Sequence, residues 1–116
     1  MRLQIRGPQS DWTEALRRHA ERRLHFALSR FSQSIGVVTV DILSVAGAPG
    51  GLDKTCRIVV HLAPKGRILV EDTQKDLYIA IDEATERAGR AVGRQLSFER
   101  EMGVTSLRSA GSQGDT

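Results

Sequence analysis

Hydrophobic and polar residues alternate in four segments of the chain, and this period of two predicts four β-strands. The first strand contains Leu3 and Ile5. The three later strands direct the following residues to one face: Val38, Val40 and Ile42; Cys56, Ile58, Val60 and Leu62; Ile68 and Val70. We therefore expect a sheet with one buried face and one face in water, with a hairpin turn at Pro64-Lys65-Gly66.

Two further segments carry apolar residues three and four positions apart, which predicts two amphipathic helices. The first runs from about Thr13 to Phe31 and the second from Asp76 to about Phe98. Their apolar stripes are Leu16, Ala20, Leu24, Ala27, Leu28 and Phe31 in the first helix, and Leu77, Ile81, Ala84, Ala88 and Val92 in the second. Gly89 and Gly93 lie inside the second helix, where each costs about 1 kcal/mol unless close packing offsets it.

Both predicted helices are preceded by residues with the spacing of a capping box, Asp11/Glu14 and Thr73/Asp76. Ser10 or Thr13 could cap the first helix instead.

The element order β-α-β-β-β-α predicts an α+β fold, with a four-stranded sheet and both helices packed on one of its faces. The connection through the first helix should be a right-handed crossover between parallel strands. We expect one domain over residues 1–100. Residues 101–116 are rich in Ser, Gly and Thr, with little to bury, so we expect a disordered tail.

Composition limits the classes of protein that the chain can belong to. Its 116 residues suffice for one hydrophobic core. Hydrophobic residues make up 40% of the chain, and no continuous apolar segment approaches the length of a membrane span. The start of the sequence has no apolar signal-peptide core, and Cys56 is the single cysteine. We therefore expect a cytoplasmic protein, with Cys56 as a small buried hydrophobe.

Positive charge is concentrated where the helices are predicted. The net charge is +3, and 14 of the 17 basic residues are Arg, which contacts phosphate with two nitrogens at once. Arg87, Arg90 and Arg94 fall within an arc of about 60° on the second helix. Arg23 and Arg30 flank the core face of the first helix in the same way. A solvated helix surface, paired in part with Glu83 and Glu86, would show the same spacing.

The predicted strands narrow the kind of nucleic acid that the chain could bind. Modules for single-stranded RNA stack bases on aromatic residues of a sheet, but residues 37–72 contain no Phe, Tyr or Trp. An RNA-binding domain of this kind should read phosphates and folded shape instead. We interpret Trp12 and Tyr78 mainly as packing residues, with exposed contact surface as the alternative for Trp12 and base stacking for Tyr78.

Motifs for catalysis or metal binding are not apparent. The Gly-rich segment 47–51 leads into a predicted strand rather than a helix, so it does not match a phosphate loop. His19, His25 and His61 have no ligand partners at metal-binding spacing. We expect no enzyme activity, no cofactor and no metal.

Several segments, taken in order, resemble the ribosome hibernation promoting factors and ribosome-associated translation inhibitors, also called ribosomal subunit interface proteins. The resemblance covers about residues 1–96. Its most specific part is the D-x-Y-x-A-I-D segment Asp76–Asp82, followed by arginines at basic positions of the family. The other matching pieces are Leu3-Gln4-Ile5, Thr13-Glu14-Ala15-Leu16-Arg17, Arg23-Leu24 and Phe31.

The resemblance implies a fold like that of double-stranded-RNA-binding domains and a place between the ribosomal subunits. A bound factor would occupy the small-subunit channel for tRNA and mRNA and silence translation under stress or in stationary phase. The residues expected to contact ribosomal RNA are Arg87, Arg90, Arg94, Arg17, Arg23 and Arg30. No membrane or DNA partner is expected.

The sequence also departs from the family pattern. The family often has Lys at the position of Phe26, and helix formers at Gly89 and Gly93. Arg94-Gln95-Leu96 could be the family's basic Arg-Gln-Leu step shifted by four residues. If the chain acts alone, we expect a short form, without the second domain with which long forms pair ribosomes. A diverged regulatory module on the same fold, binding an acidic protein partner, is the alternative.

Overall fold

The computed structural model describes residues 1–7, 11–44 and 54–110, with side chains described as far as residue 101. The elements are β1 (Arg2–Arg6), α1 (Glu14–Leu28), a 3₁₀ helix (Ser29–Ser34), β2 (Ile35–Ser44), β3 (Lys54–Leu62), β4 (Arg67–Gln74) and α2 (Leu77–Ala110). This is the predicted α+β order. The predicted first helix is divided, because its last turn has 3₁₀ rather than α geometry.

The four strands form one sheet in the order β1-β2-β3-β4. β1 is parallel to β2, with Leu3 opposite Val38, and the other two pairs are antiparallel. The parallel pair agrees with the predicted crossover through α1. Between β3 and β4 the chain turns at Gly66, which has a φ of 111°, and the backbone N–H of Leu62 donates to the carbonyl oxygen of Gly66 at 2.9 Å.

The core lies between the sheet and the two helices. Leu24 and Leu28 of α1 and Ile81 and Val92 of α2 are fully buried, as is Ile58 in the centre of the sheet. Burying each such side chain contributes about 1.5–3 kcal/mol. Every inward residue predicted for β2 and β3 is buried, so both helices cover the face that alternation predicted.

Trp12 packs at the start of α1 and confirms the packing interpretation. Its side chain is buried, and its indole Nε1–H donates to the carbonyl oxygen of Arg6 at 2.8 Å. This bond ties the approach to α1 to the end of β1.

The caps differ from the predicted capping boxes. Thr13 caps α1, because its Oγ1 accepts from the backbone N–H of Leu16 at 3.1 Å. Asp76 precedes α2, and its Oδ1 accepts from the N–H of Tyr78 at 2.7 Å. Thr73 is part of β4 and hydrogen-bonds with the hydroxyl of Thr55 instead, so it cannot be the cap.

α2 ends at Ala110, twelve residues beyond the predicted end near Phe98. No proline interrupts this segment, and Gln95 donates to the Glu99 carboxylate at 3.0 Å across one turn. The domain boundary at residue 100 stays a prediction, and residues 111–116 and the Gly-rich segment 47–51 lie outside the described residues. Within the described residues, no helix is long and apolar enough to cross a membrane.

Candidate functional site

The two helices approach each other closely at the glycines of α2. A Cβ atom on Gly89 would lie 3.1 Å from the carbonyl oxygen of Ala27 and 3.3 Å from its Cβ. A Cβ atom on Gly93 would lie 3.2 Å from Cζ of Phe31. Close packing against Ala27 therefore offsets the low helix propensity of Gly89, and the spacing between α1 and α2 depends on this residue. Gly93 instead faces the ring of Phe31 in the 3₁₀ helix.

The D-x-Y-x-A-I-D segment fastens α2 to α1. Asp82 Oδ1 lies 2.6 Å from His19 Nε2 and 3.2 Å from Arg23 Nε. The Tyr78 ring packs edge-on against His19, with ring centroids 4.9 Å apart. Tyr78 thus packs against His19 while 41% of the residue stays exposed, and the acidic residues Asp76 and Asp82 serve the helix cap and the helix contact.

Arg23 is consequently part of the contact between the helices. Its Nε is buried and makes no hydrogen bond, although it lies at ion-pair distance from Asp82. The side chain is 37% exposed, so the rest of it still faces the surface.

A groove runs between α1 and α2 on the surface of the protein. Arg23, Arg30 and Arg90 line a cavity of about 520 Å³ there, together with Phe26 and Gly89. Arg30 and Arg90 also line the adjoining cavity of about 530 Å³, with Arg94 and Phe98. We call this surface the arginine groove, defined by Arg23, Arg30, Arg90 and Arg94. Basic side chains from α1, the 3₁₀ helix and α2 therefore converge.

Two of the four groove arginines are paired with acids. Arg90 pairs with Glu86 across one turn of α2 at 2.9 Å, as the solvated-surface interpretation suggested. The Arg30 guanidinium lies 4.8 Å from the centre of the Phe31 ring, which holds it beside the groove. Among the described residues, Arg30 and Arg94 have no carboxylate within ion-pair distance, so the groove retains positive charge.

Arg87 and Arg17 lie apart from this groove. Arg87 Nη2 donates to the carbonyl oxygen of Glu71 and lies 3.3 Å from Asp72 Oδ1, which directs it toward β4. Arg17 is exposed near the start of α1 and lines neither cavity. The six arginines selected from the sequence thus divide into four that share a surface and two that do not.

Phe26 is the groove residue that sequence reasoning missed. It is 84% exposed, although it is a large aromatic side chain, and it lies among three arginines. Its position three residues after Arg23 and four before Arg30 is the only signal the sequence carries, because exposure depends on the packing of α1.

The described residues offer little for catalysis. They contain no cluster of three or more His, Cys, Asp or Glu that could hold a metal ion. Burial, together with the nearby carboxylates of Asp72 and Asp41, raises the pKa of the Cys56 thiol to about 12. The thiol therefore stays protonated and is a poor nucleophile near neutral pH.

Comparison with known proteins agrees with this geometry. A ribosomal subunit interface protein from Coxiella burnetii has the same fold, with a TM-score of 0.66 and 21% identity, over 84% of this chain and 99% of its own. The N-terminal domain of Protein Y from Thermus thermophilus is 31% identical, over 81% of this chain and 98% of its own, with a TM-score of 0.63. Among curated proteins, no sequence matches significantly. Residues 3–97 match the family described as "Sigma 54 modulation protein / S30EA ribosomal protein", and the chain belongs to this family.

Proposed function

We propose that this protein is a ribosome hibernation factor, which binds at the subunit interface and occupies the tRNA and mRNA channel of the small subunit. It acts in the cytoplasm under stress or in stationary phase, by occlusion rather than by catalysis. Family membership and the two structural neighbours, one described as a ribosomal subunit interface protein, support the ribosome as the partner.

The observation that carries the proposal is the arginine groove. Arginines from α1, the 3₁₀ helix and α2 meet on one surface. Arg30 and Arg94 have no acidic partner among the described residues. Guanidinium groups hydrogen-bond phosphate with two nitrogens at once, and a groove of this kind fits the backbone of folded ribosomal RNA. Each phosphate contact would release a counterion, so binding should weaken steeply as salt is raised.

Occlusion follows from position and size rather than from chemistry. A folded domain bound in the channel excludes tRNA and mRNA from the same space, and needs no reaction to silence the ribosome. Affinity from arginine–phosphate contacts would hold it there, and competing tRNA would displace it.

The test is co-sedimentation of the purified protein with ribosomes at physiological salt, with and without bound tRNA and mRNA. We expect one protein per ribosome in the pellet, and loss of the protein from the pellet when tRNA is bound. Pelleting that tRNA and mRNA leave unchanged would place the protein elsewhere on the ribosome. No pelleting would refute ribosome binding and favour an acidic protein partner on the same fold.

A charge-matched pair of variants makes this test specific for the groove. Arg30→Glu/Arg94→Glu reverses the two groove arginines that have no acidic partner among the described residues. Arg2→Glu/Arg67→Glu changes the net charge equally at exposed positions on the strands β1 and β4. Only the first pair should abolish pelleting, and equal effects would show attraction by overall charge alone.

A further inference from the structure

Phe26 is the most exposed large hydrophobic residue in the described part of the chain. Its exposed fraction is 84%, against 60% for Phe98 and 57% for Leu69. It lies in the last turn of α1, whose buried stripe is complete without it. The fold therefore gains nothing from an aromatic ring at this position, and water contact with the ring is unfavourable.

Three arginines surround Phe26, and Glu86, the partner of Arg90, lines the same cavity. Arg23 precedes it by three residues on the same side of α1, and Arg30, in the 3₁₀ helix that follows, lines the same cavity. Arg90 lies across the groove on α2 and lines the same cavity. An exposed ring thus lies between guanidinium groups carried by α1, the 3₁₀ helix and α2.

A ligand for this arrangement needs a flat apolar face and negative charge close together. An unpaired nucleotide has both, because its base can stack on the ring while its own phosphate and the neighbouring phosphate meet arginines. An acidic protein segment supplies the charge but has no general reason to place a flat ring there. Charge complementarity and ring exposure together therefore favour RNA.

We propose that Phe26 stacks on an unpaired base of ribosomal RNA, with phosphates of the same strand held by Arg30 and Arg90. This inference rests on the proposed function and makes it more specific. The domain would then read folded RNA by phosphate contacts, and one extruded base by stacking from a helix rather than from the sheet.

The experiment measures the affinity of purified small subunits for Phe26 variants as a function of salt. Phe26→Ala should bind about 5- to 150-fold more weakly, the loss that corresponds to one base stack. Phe26→Tyr should bind like the wild type, whereas Phe26→Leu should be as weak as the alanine variant, because leucine is apolar but not flat. Leu69→Ala, at an exposed position in β4, is the matched control and should bind normally.

Salt dependence separates stacking from phosphate contact. Phe26→Ala should leave the slope of affinity against salt unchanged, since no counterion release is lost. Arg30→Gln should flatten that slope by about one unit. Because Phe26 is exposed, all its variants should keep the thermal unfolding midpoint of the wild type, which excludes misfolding as the cause.

Fluorescence gives a direct readout of the stack. In Phe26→Trp, the new indole should be quenched when the small subunit binds, because the base lies against it. The wild type contains only the buried Trp12, so its emission reports the background.

The outcomes distinguish this inference from the proposed function. Normal binding by Phe26→Leu would overturn stacking and indicate an apolar protein contact. Normal binding by Phe26→Ala, with loss in Arg30→Glu/Arg94→Glu, would overturn stacking and leave ribosome binding intact. Normal binding by both would overturn the arginine groove as the ribosome-binding surface as well.

Discussion

Gly89 of α2 lies against the backbone of Ala27 in α1, so closely that an added methyl group would come within 3.1 Å of a carbonyl oxygen. A backbone atom cannot rotate away, and the two helices would have to separate. At Gly93 the nearest atom is instead in the ring of Phe31, which is only partly buried and can turn aside.

This contrast predicts opposite effects of two similar substitutions. Gly89→Ala should lower the free energy of unfolding by about 1 kcal/mol, because overpacking outweighs the gain in helix propensity. Gly93→Ala should be neutral or stabilising by up to about 1 kcal/mol. Urea unfolding followed by circular dichroism measures both, and a stabilising Gly89→Ala would show that the helices are not in close contact there.

Asp82 provides a second prediction, about the D-x-Y-x-A-I-D segment. Asp82→Asn removes the carboxylate that faces His19 and Arg23, and should lower the free energy of unfolding by about 1 kcal/mol. The affinity for ribosomes, measured well below the unfolding temperature, should change by less than about threefold. We expect this because Asp82 contacts His19 and Arg23 of α1 rather than the ribosome. A large loss of binding by the folded variant would assign Asp82 to the ribosome contact.

The division among the arginines is testable one residue at a time. Arg30→Gln and Arg94→Gln should each weaken ribosome binding by about 3- to 10-fold, and each should flatten the salt dependence by about one unit. Arg87→Gln should leave the salt dependence unchanged, since Arg87 is bound to β4. A slope change with Arg87→Gln equal to that of the groove variants would restore the sequence-based assignment.

Cys56 gives a prediction about pH. Its thiol has a pKa raised to about 12 by burial and by Asp72 and Asp41, so the native protein should resist iodoacetamide at pH 8 and react only after unfolding in urea. The unfolded thiol ionises at lower pH, so the contribution of this group to stability is present below pH 9.0 and is lost as the pH rises toward 12. Cys56→Ala should show a shallower fall in stability over that range, and fast labelling of the native protein would contradict the burial.

Local periodicity predicted most of the fold. In a β-strand, side chains two positions apart point to the same face of the sheet. Once Val38 is assigned to the buried face, Val40 and Ile42 are assigned to it as well. Thr73 shows the limit of such reasoning: its sequence allows a helix cap, but pairing with Thr55 across the sheet keeps it in β4.

The arginine groove depends on contacts that no local pattern records. Arg87 and Arg90 are close on a helical wheel, but α2 lies between β4 and α1. Arg87 therefore contacts β4, whereas Arg90 lines the groove beside α1. The approach of Gly89 to Ala27 joins residues far apart in sequence and determines which basic side chains meet. Helical periodicity therefore predicted that Arg87, Arg90 and Arg94 lie close together on α2, but not which groups each of them contacts.

The bond from Arg87 to the Glu71 carbonyl has a consequence for association between copies of the chain. Among the described strands, β4 pairs with β3 alone, so its other side offers backbone groups to which a strand of another molecule could add. Arg87 occupies one backbone carbonyl of β4 and keeps a charged side chain beside the strand. We therefore expect Arg87, first selected as an RNA contact, to hinder strand addition at this edge, and Arg87→Gln to aggregate more readily at high protein concentration.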